Sequence, residues 1–151
     1  MTTPGRTDWA TYFTAIAHAV AARSDCRRAS VGAVIVDTGN RIVSTGYVGT
    51  QAGQPGCLDG ACPRGLLSAD QCAPGSQYDN CISTHAEANA LLYSDRRRHN
   101  GGTIYITRAP CYTCLKLLRS SGLATAVFTT DTPNHLDRTD LVPTPVRCDR
   151  D

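Results

Sequence analysis

Thr103-Ile104-Tyr105-Ile106-Thr107-Arg108-Ala109-Pro110-Cys111-Tyr112-Thr113-Cys114 begins as a β-branched and aromatic run and ends in two cysteines three apart. The first five residues have strand composition. Pro110 suits a helix start, where a missing N–H is no loss. Beyond it Leu115, Leu117 and Leu118 recur at helical intervals, and Gly122 suits a helix C-terminus. A second strand follows over 124–129. Strand, helix and strand within so short a span predict two parallel strands joined by a right-handed crossover.

Upstream, a helix is expected from His85 to about residue 97, carrying Ala88, Leu91 and Leu92 and stopped by Asn100-Gly101-Gly102. Val31-Gly32-Ala33-Val34-Ile35-Val36 and the stretch 41–47 flank the turn Asp37-Thr38-Gly39-Asn40 and read as a β-hairpin. From Asp8, a suitable N-cap, Phe13, Ile16, Ala17 and Val20 keep helical spacing to about residue 23. Trp9 and Tyr12 lie near the same face and are expected in the core. The order helix, hairpin, helix, strand, helix, strand predicts an α/β sandwich with a mixed sheet.

His85-Ala86-Glu87 and Pro110-Cys111-Tyr112-Thr113-Cys114 each open one of these helices. One imidazole and two thiolates leave the fourth tetrahedral position of Zn²⁺ to a water. The metal lowers the pKa of that water toward about 7. A carboxylate that is not a ligand must then move protons, and Glu87 is the one within reach. Cys111 and Cys114 share a helix face, and thiolates are favoured at a helix N-terminus. His85 and Glu87, two apart, cooperate only if His85 sits in the first turn and Glu87 reaches round to the metal. H-x-E followed by P-C-x-x-C is the pattern of zinc-dependent base deamination.

The remaining composition narrows the class. A chain of 151 residues reads as one domain over 1–151, with a core of about 8–130 and a loop-like tail over 131–151. Net charge is +2 and aromatics make up 6 %, so neither the basic channel nor the stacking surface that a polynucleotide needs is present. Arg96-Arg97-Arg98-His99 reads as the solvated end of a helix. No run is apolar enough for a membrane span or a signal peptide, which places the chain in the cytoplasm, where thiols stay reduced. Eight cysteines then call for metal rather than disulfides. Five of them, Cys57, Cys62, Cys72 and Cys81 in the aperiodic stretch 48–83 and Cys26 before it, lie outside the C-x-x-C pair and the tail. A connection that long tends to be functional, and a metal clip would hold it.

With these residues in view the chain resembles the cytidine deaminase superfamily, and within it the deoxycytidylate (dCMP) deaminase-like branch. The likeness spans roughly residues 9–130. It rests on Cys26 before Val31-Gly32-Ala33-Val34-Ile35-Val36, on Gly46-Tyr47-Val48-Gly49, on His85-Ala86-Glu87-Ala88-Asn89-Ala90 and on Tyr105-Ile106-Thr107 before Pro110-Cys111. The resemblance implies a three-layer α/β/α sandwich and hydrolytic replacement of the C4 amine of a cytosine nucleotide, with ammonia released. It implies Zn²⁺ on His85, Cys111 and Cys114, with Glu87 carrying protons from water to ring N3 and to the departing amine. Backbone near Ala86 and Cys111 would orient the base, and Arg108 could meet a 5′-phosphate. A homo-oligomer is expected, since relatives of this branch often form hexamers.

Two further expectations follow from the same resemblance. Relatives usually place Asn where this chain has Val48, and that Asn bonds the substrate's sugar. Either Thr50 or Gln51 substitutes for it, or the substrate is a modified nucleotide, a nucleoside, a free base or another amino-heterocycle. Many relatives bind a structural zinc through a cysteine at the position of Cys26 together with loop cysteines. Here that implies Cys26, Cys57, Cys62 and Cys81, with Cys72 as the spare; buried apolar thiols are the plainer alternative.

Overall fold

Alternation along Ala33-Val34-Ile35-Val36 sets the layers, because successive strand residues point to opposite faces. In the computed structural model, which describes residues 5–72 and 80–142, β1 (Gly32–Val36) is buried on both faces. Ala33 and Ile35 join one core with Ala86, Ala90, Ile104, Ile106 and Leu118. Val34 and Val36 join the other with Phe13, Ala17, Tyr105 and Val127. One helix, α1 (Trp9–Ala21), covers the second face, while α2 (Ala86–Leu92) and α4 (Tyr112–Ser120) cover the first. This is the three-layer sandwich that the resemblance implied.

The sheet has the order β2-β1-β3-β4-β5, with β2 at Ile42–Tyr47, β3 at Thr103–Ile106, β4 at Thr125–Thr129 and β5 at Leu136–Asp140. β1 and β2 form the expected antiparallel hairpin, and β3 and β4 pair in parallel on either side of α4. The sheet is mixed, as the element order required.

Four expectations need correction. The helix from residue 85 to 97 is two helices: α2 stops at Leu92, and α3 (Arg96–His99) starts afresh. The Asp95 side chain caps the new helix by accepting from the Arg97 N–H, and a side chain that caps a start cannot sit mid-helix without competing with the backbone. The basic run is therefore a separate turn, and His99 is buried within it, at 2.6 Å from Ser94 Oγ and 2.9 Å from the Ser121 carbonyl. The tail is not all loop, since residues 136–140 pair antiparallel with β4. Residues 143–151, including Cys148, lie outside the described residues, as do 73–79 of the long connection. Finally, Trp9, Tyr12, Leu92 and Leu117 are exposed, although helical spacing placed them with the core.

The helices approach the sheet unusually closely at two glycines. A Cβ on Gly32 would stand 2.1 Å from the Ala17 carbonyl oxygen, and one on Gly46 would stand 2.3 Å from both Ala86 O and Ala90 N. Backbone is the obstacle in each case, so α1 and α2 lie where they do only because these residues have no side chain. Asn89 adds a tie by donating from Nδ2 to the Tyr47 carbonyl at 2.8 Å. We expect Gly46→Ala to push α2 off the sheet and to destabilise by about 1–3 kcal/mol. Thermal denaturation should show a lowered Tm for that variant, while Gly5→Ala, with nothing within 4 Å of its Cβ, leaves it unchanged.

Candidate zinc site

Two helix N-termini converge at one end of the sheet. His85 is the N-cap of α2, which places Glu87 in its first turn. Cys111 is the N-cap of α4, and its Sγ accepts from the Cys114 N–H at 3.4 Å. The expectation that both stretches open helices therefore holds. His85 Nδ1 lies 3.5 Å from Cys111 Sγ and 3.4 Å from Cys114 Sγ. Tetrahedral zinc at about 2.3 Å from sulfur and 2.0–2.1 Å from nitrogen puts such atoms roughly 3.6 Å apart. The donor set fits the metal.

Electrostatics favour the same ion. Burial pushes the Cys114 thiol far up, and the nearby Glu87 and Cys111 push it in the same direction. Burial likewise raises the Glu87 carboxyl, against partial opposition from backbone hydrogen bonding, His85, Cys114 and Arg108. The Cys114 thiol and the Glu87 carboxyl, held in a poorly solvated place, resist ionisation unless a cation sits beside them. Glu87 is 4 % exposed and does not belong to the ligand group. A buried carboxyl outside the ligand group is placed to accept and return a proton.

A cavity of about 580 Å³ opens in front of this set. His85, Glu87 and Cys111 line it, and so do Val48, Ala86 and Arg108, so the predicted substrate residues share one space. Val48 is 6 % exposed, and its backbone is engaged through bonds to Val31 O and Asp25 N. Gly49 and Thr84 pair in an isolated antiparallel bridge, which holds the Val48 strand end beside His85. Arg108 is exposed at the step before Pro110. Sequence reasoning gave no role to Arg28, Arg64 or Ser83, which also line the cavity. An arginine two residues after Cys26 was the only signal available for the first of them.

Cys26, Cys57, Cys62 and Cys81 line the same cavity, whereas Cys72 is not among its lining residues. Cys62 Sγ is 4.0 Å from Cys81 Sγ. Arg27 N–H points to Cys57 Sγ and Arg28 N–H to Cys26 Sγ, each at 3.5 Å. Although burial opposes it, N–H groups of Ile82 and Gly65 hold the Cys62 thiol below its ordinary range, while burial raises Cys57 and Cys81. Among the described residues, only His85, Cys111 and Cys114 form a group of three or more such donors within 4.8 Å of one another.

An α/β/α sandwich presenting one imidazole, two thiols and an unligated buried carboxyl at paired helix starts defines a zinc-dependent hydrolase that acts on C–N bonds. Residues 7–130 match the cytidine and deoxycytidylate deaminase zinc-binding region, and the chain belongs to that family. It is 48 % identical over 128 residues to a deoxycytidylate deaminase of Mycobacterium phage D29, covering 82 % of this chain and 95 % of that one. A deoxycytidylate deaminase of Schizosaccharomyces pombe is 40 % identical over 126 residues; the match covers 83 % of this chain but only 38 % of that longer protein. Among solved structures, the dCMP deaminase of cyanophage S-TIM5 in complex with dCMP and dUMP superposes with TM-score 0.61 at 25 % identity, covering 83 % of each chain.

No helix among the described residues is long and apolar enough to cross a membrane. Replacing Cys114 with Ser should remove about one zinc per chain, measured by atomic emission on the purified protein. It should also lower Tm, because ligation stabilises the folded state.

Proposed function

We propose that the chain hydrolyses dCMP to dUMP and ammonia. The observation that carries this reading is the buried Glu87 carboxyl beside the His85, Cys111 and Cys114 set, in one cavity with Arg108. The phage D29 relative, matched over nearly all of its length, is a deoxycytidylate deaminase, and the cyanophage structure holds dCMP and dUMP. Zinc bound at this set supplies a water acidic enough to attack at neutral pH. Glu87 accepts the proton of the attacking water and passes it to ring N3 as oxygen bonds to C4. It then takes the remaining proton from the new C4 hydroxyl and gives it to the exocyclic amine as the C4–N bond breaks and C4=O forms, so that water is consumed and ammonia leaves. Backbone near Ala86 and Cys111 orients the ring, and Arg108 pairs with the 5′-phosphate.

Val48 favours a second reading. Its side chain contributes no hydrogen bond to the cavity wall, which suits a nucleoside, a modified nucleotide or another amino-heterocycle. Ammonia release from dCMP, CMP, deoxycytidine, cytidine and cytosine separates the two. Under the dCMP reading, dCMP turns over fastest and Glu87→Gln lowers kcat by about 10²–10⁴-fold while keeping its zinc. Arg108→Ala then raises KM for dCMP about tenfold or more and barely affects deoxycytidine. Silence across the panel from zinc-loaded protein would sink the dCMP assignment.

A second, structural zinc on Cys26, Cys57, Cys62 and Cys81 belongs to the same proposal, supported by their common cavity wall and by the N–H groups aimed at the sulfurs. Two zinc ions per chain, falling to one in Cys62→Ser, is the expected count; one in the parent protein rules the site out. We further read the chain as a single deaminase domain, a reading supported by the one sheet that joins its strands. A cytoplasmic location is supported by the seven described cysteines all being free thiols. Self-association is supported by exposed Leu92, Tyr93, Tyr112 and Leu117 on and beside α2 and α4.

A further inference from the structure

Part of the cavity wall comes from a stretch in which Cys57 and Cys62 are buried but the leucines are not. In the connection between β2 and α2, Leu58 is 58 % and Leu66 is 62 % exposed. It is also fastened to the short segment between α1 and β1. The Asp25 carboxylate accepts from the Leu58 N–H at 2.8 Å, and the Asp25 N–H donates to the Val48 carbonyl at 2.8 Å. Three residues later, Arg28 donates from Nη1 to the Arg64 carbonyl and from Nη2 to the Leu67 carbonyl. These two carbonyls bracket the 3₁₀ turn Arg64–Leu66. Arg28, Arg64 and Gly65 all line the cavity that His85 and Glu87 also line.

A planar guanidinium suits this task. Its donors lie in a rigid fork and can hold two acceptors at a fixed separation, which an ammonium on a flexible stem cannot do. We propose that Arg28 is a positioning residue for substrate: it holds the Arg64–Leu66 turn in place as a cavity wall and so sets how tightly the substrate is gripped. Its fork is turned to two backbone carbonyls, and the phosphate contact is assigned to Arg108. The inference rests on the dCMP reading given above.

The test compares zinc-loaded parent protein, Arg28→Lys and Arg28→Gln. kcat and KM are measured for dCMP, and the Ki of deoxycytidine as a competitor lacking phosphate. Both variants should raise KM for dCMP about tenfold and the Ki of deoxycytidine by a similar factor, with kcat within about threefold. Amide exchange at Leu66 and Leu67, whose N–H groups bond within this turn, should speed up in both. A KM effect confined to dCMP and rescued by Lys would make Arg28 a direct phosphate contact and overturn the proposal. A lowered Tm with unchanged KM and Ki would reduce Arg28 to a stabilising residue and overturn it equally. If the parent protein fails to deaminate dCMP, the functional reading falls, and the exchange rates still decide whether Arg28 holds the turn.

Discussion

Three ligand atoms from two helices must fall within one bond length of a common point, and much of the architecture serves that requirement. His85 caps α2 and the two cysteines open α4, so the site exists only if both helix starts meet at the same end of the sheet. Parallel pairing of β3 and β4 brings the chain back along the same face and sets α4 over the core shared with α2. Close approach of α2 at Gly46 fixes the other side. A shift of either helix by an ångström would spoil distances that now match tetrahedral ligation.

The same convergence stores an electrostatic problem that a cation resolves. Burial pushes the Cys114 thiol and the Glu87 carboxyl away from ionisation, and Glu87 and Cys111 push Cys114 further the same way. A divalent ion reverses this, since metal binding favours thiolate and carboxylate together. The start of α4 contributes in the same sense, because the Cys114 N–H points to Cys111 Sγ. Packing therefore does more than build a scaffold: it keeps water away from the groups whose protonation matters. On the cavity's other wall, polar fastenings from Asp25 and Arg28 add to the burial of Cys57 and Cys62.

Where sequence reading and structure part, the reasons are specific. Ser94-Asp95 lay inside an apparently continuous helical pattern, yet Asp95 is a strong capping residue and restarts the helix. That signal was present and was outweighed by the periodicity on either side. Leu136-Asp137-Arg138-Thr139-Asp140 has a strand's length but not its composition, and it becomes β5 only because β4 offers a free edge. Trp9, Tyr12 and Leu117 keep helical spacing with buried neighbours but sit at the rim of their stripe, where exposure is decided by what the sheet covers. His99 looked like part of a solvated basic run and is instead a buried link between two segments.

The sequence by itself determined the element types of the core, the mixed α/β order and the His85, Cys111 and Cys114 set that is arranged to hold a metal ion. Each of these depends on local spacing: period two in the strands, helical period in the helices, and ligand types at fixed offsets beside helix starts. Tertiary structure alone decided that the two helix starts meet, that Glu87 is buried without being a ligand, and that Val48, Arg108 and Arg28 share one cavity with them. Those facts join residues tens of positions apart. Their separation in space follows from sheet order and helix approach, which no local pattern encodes.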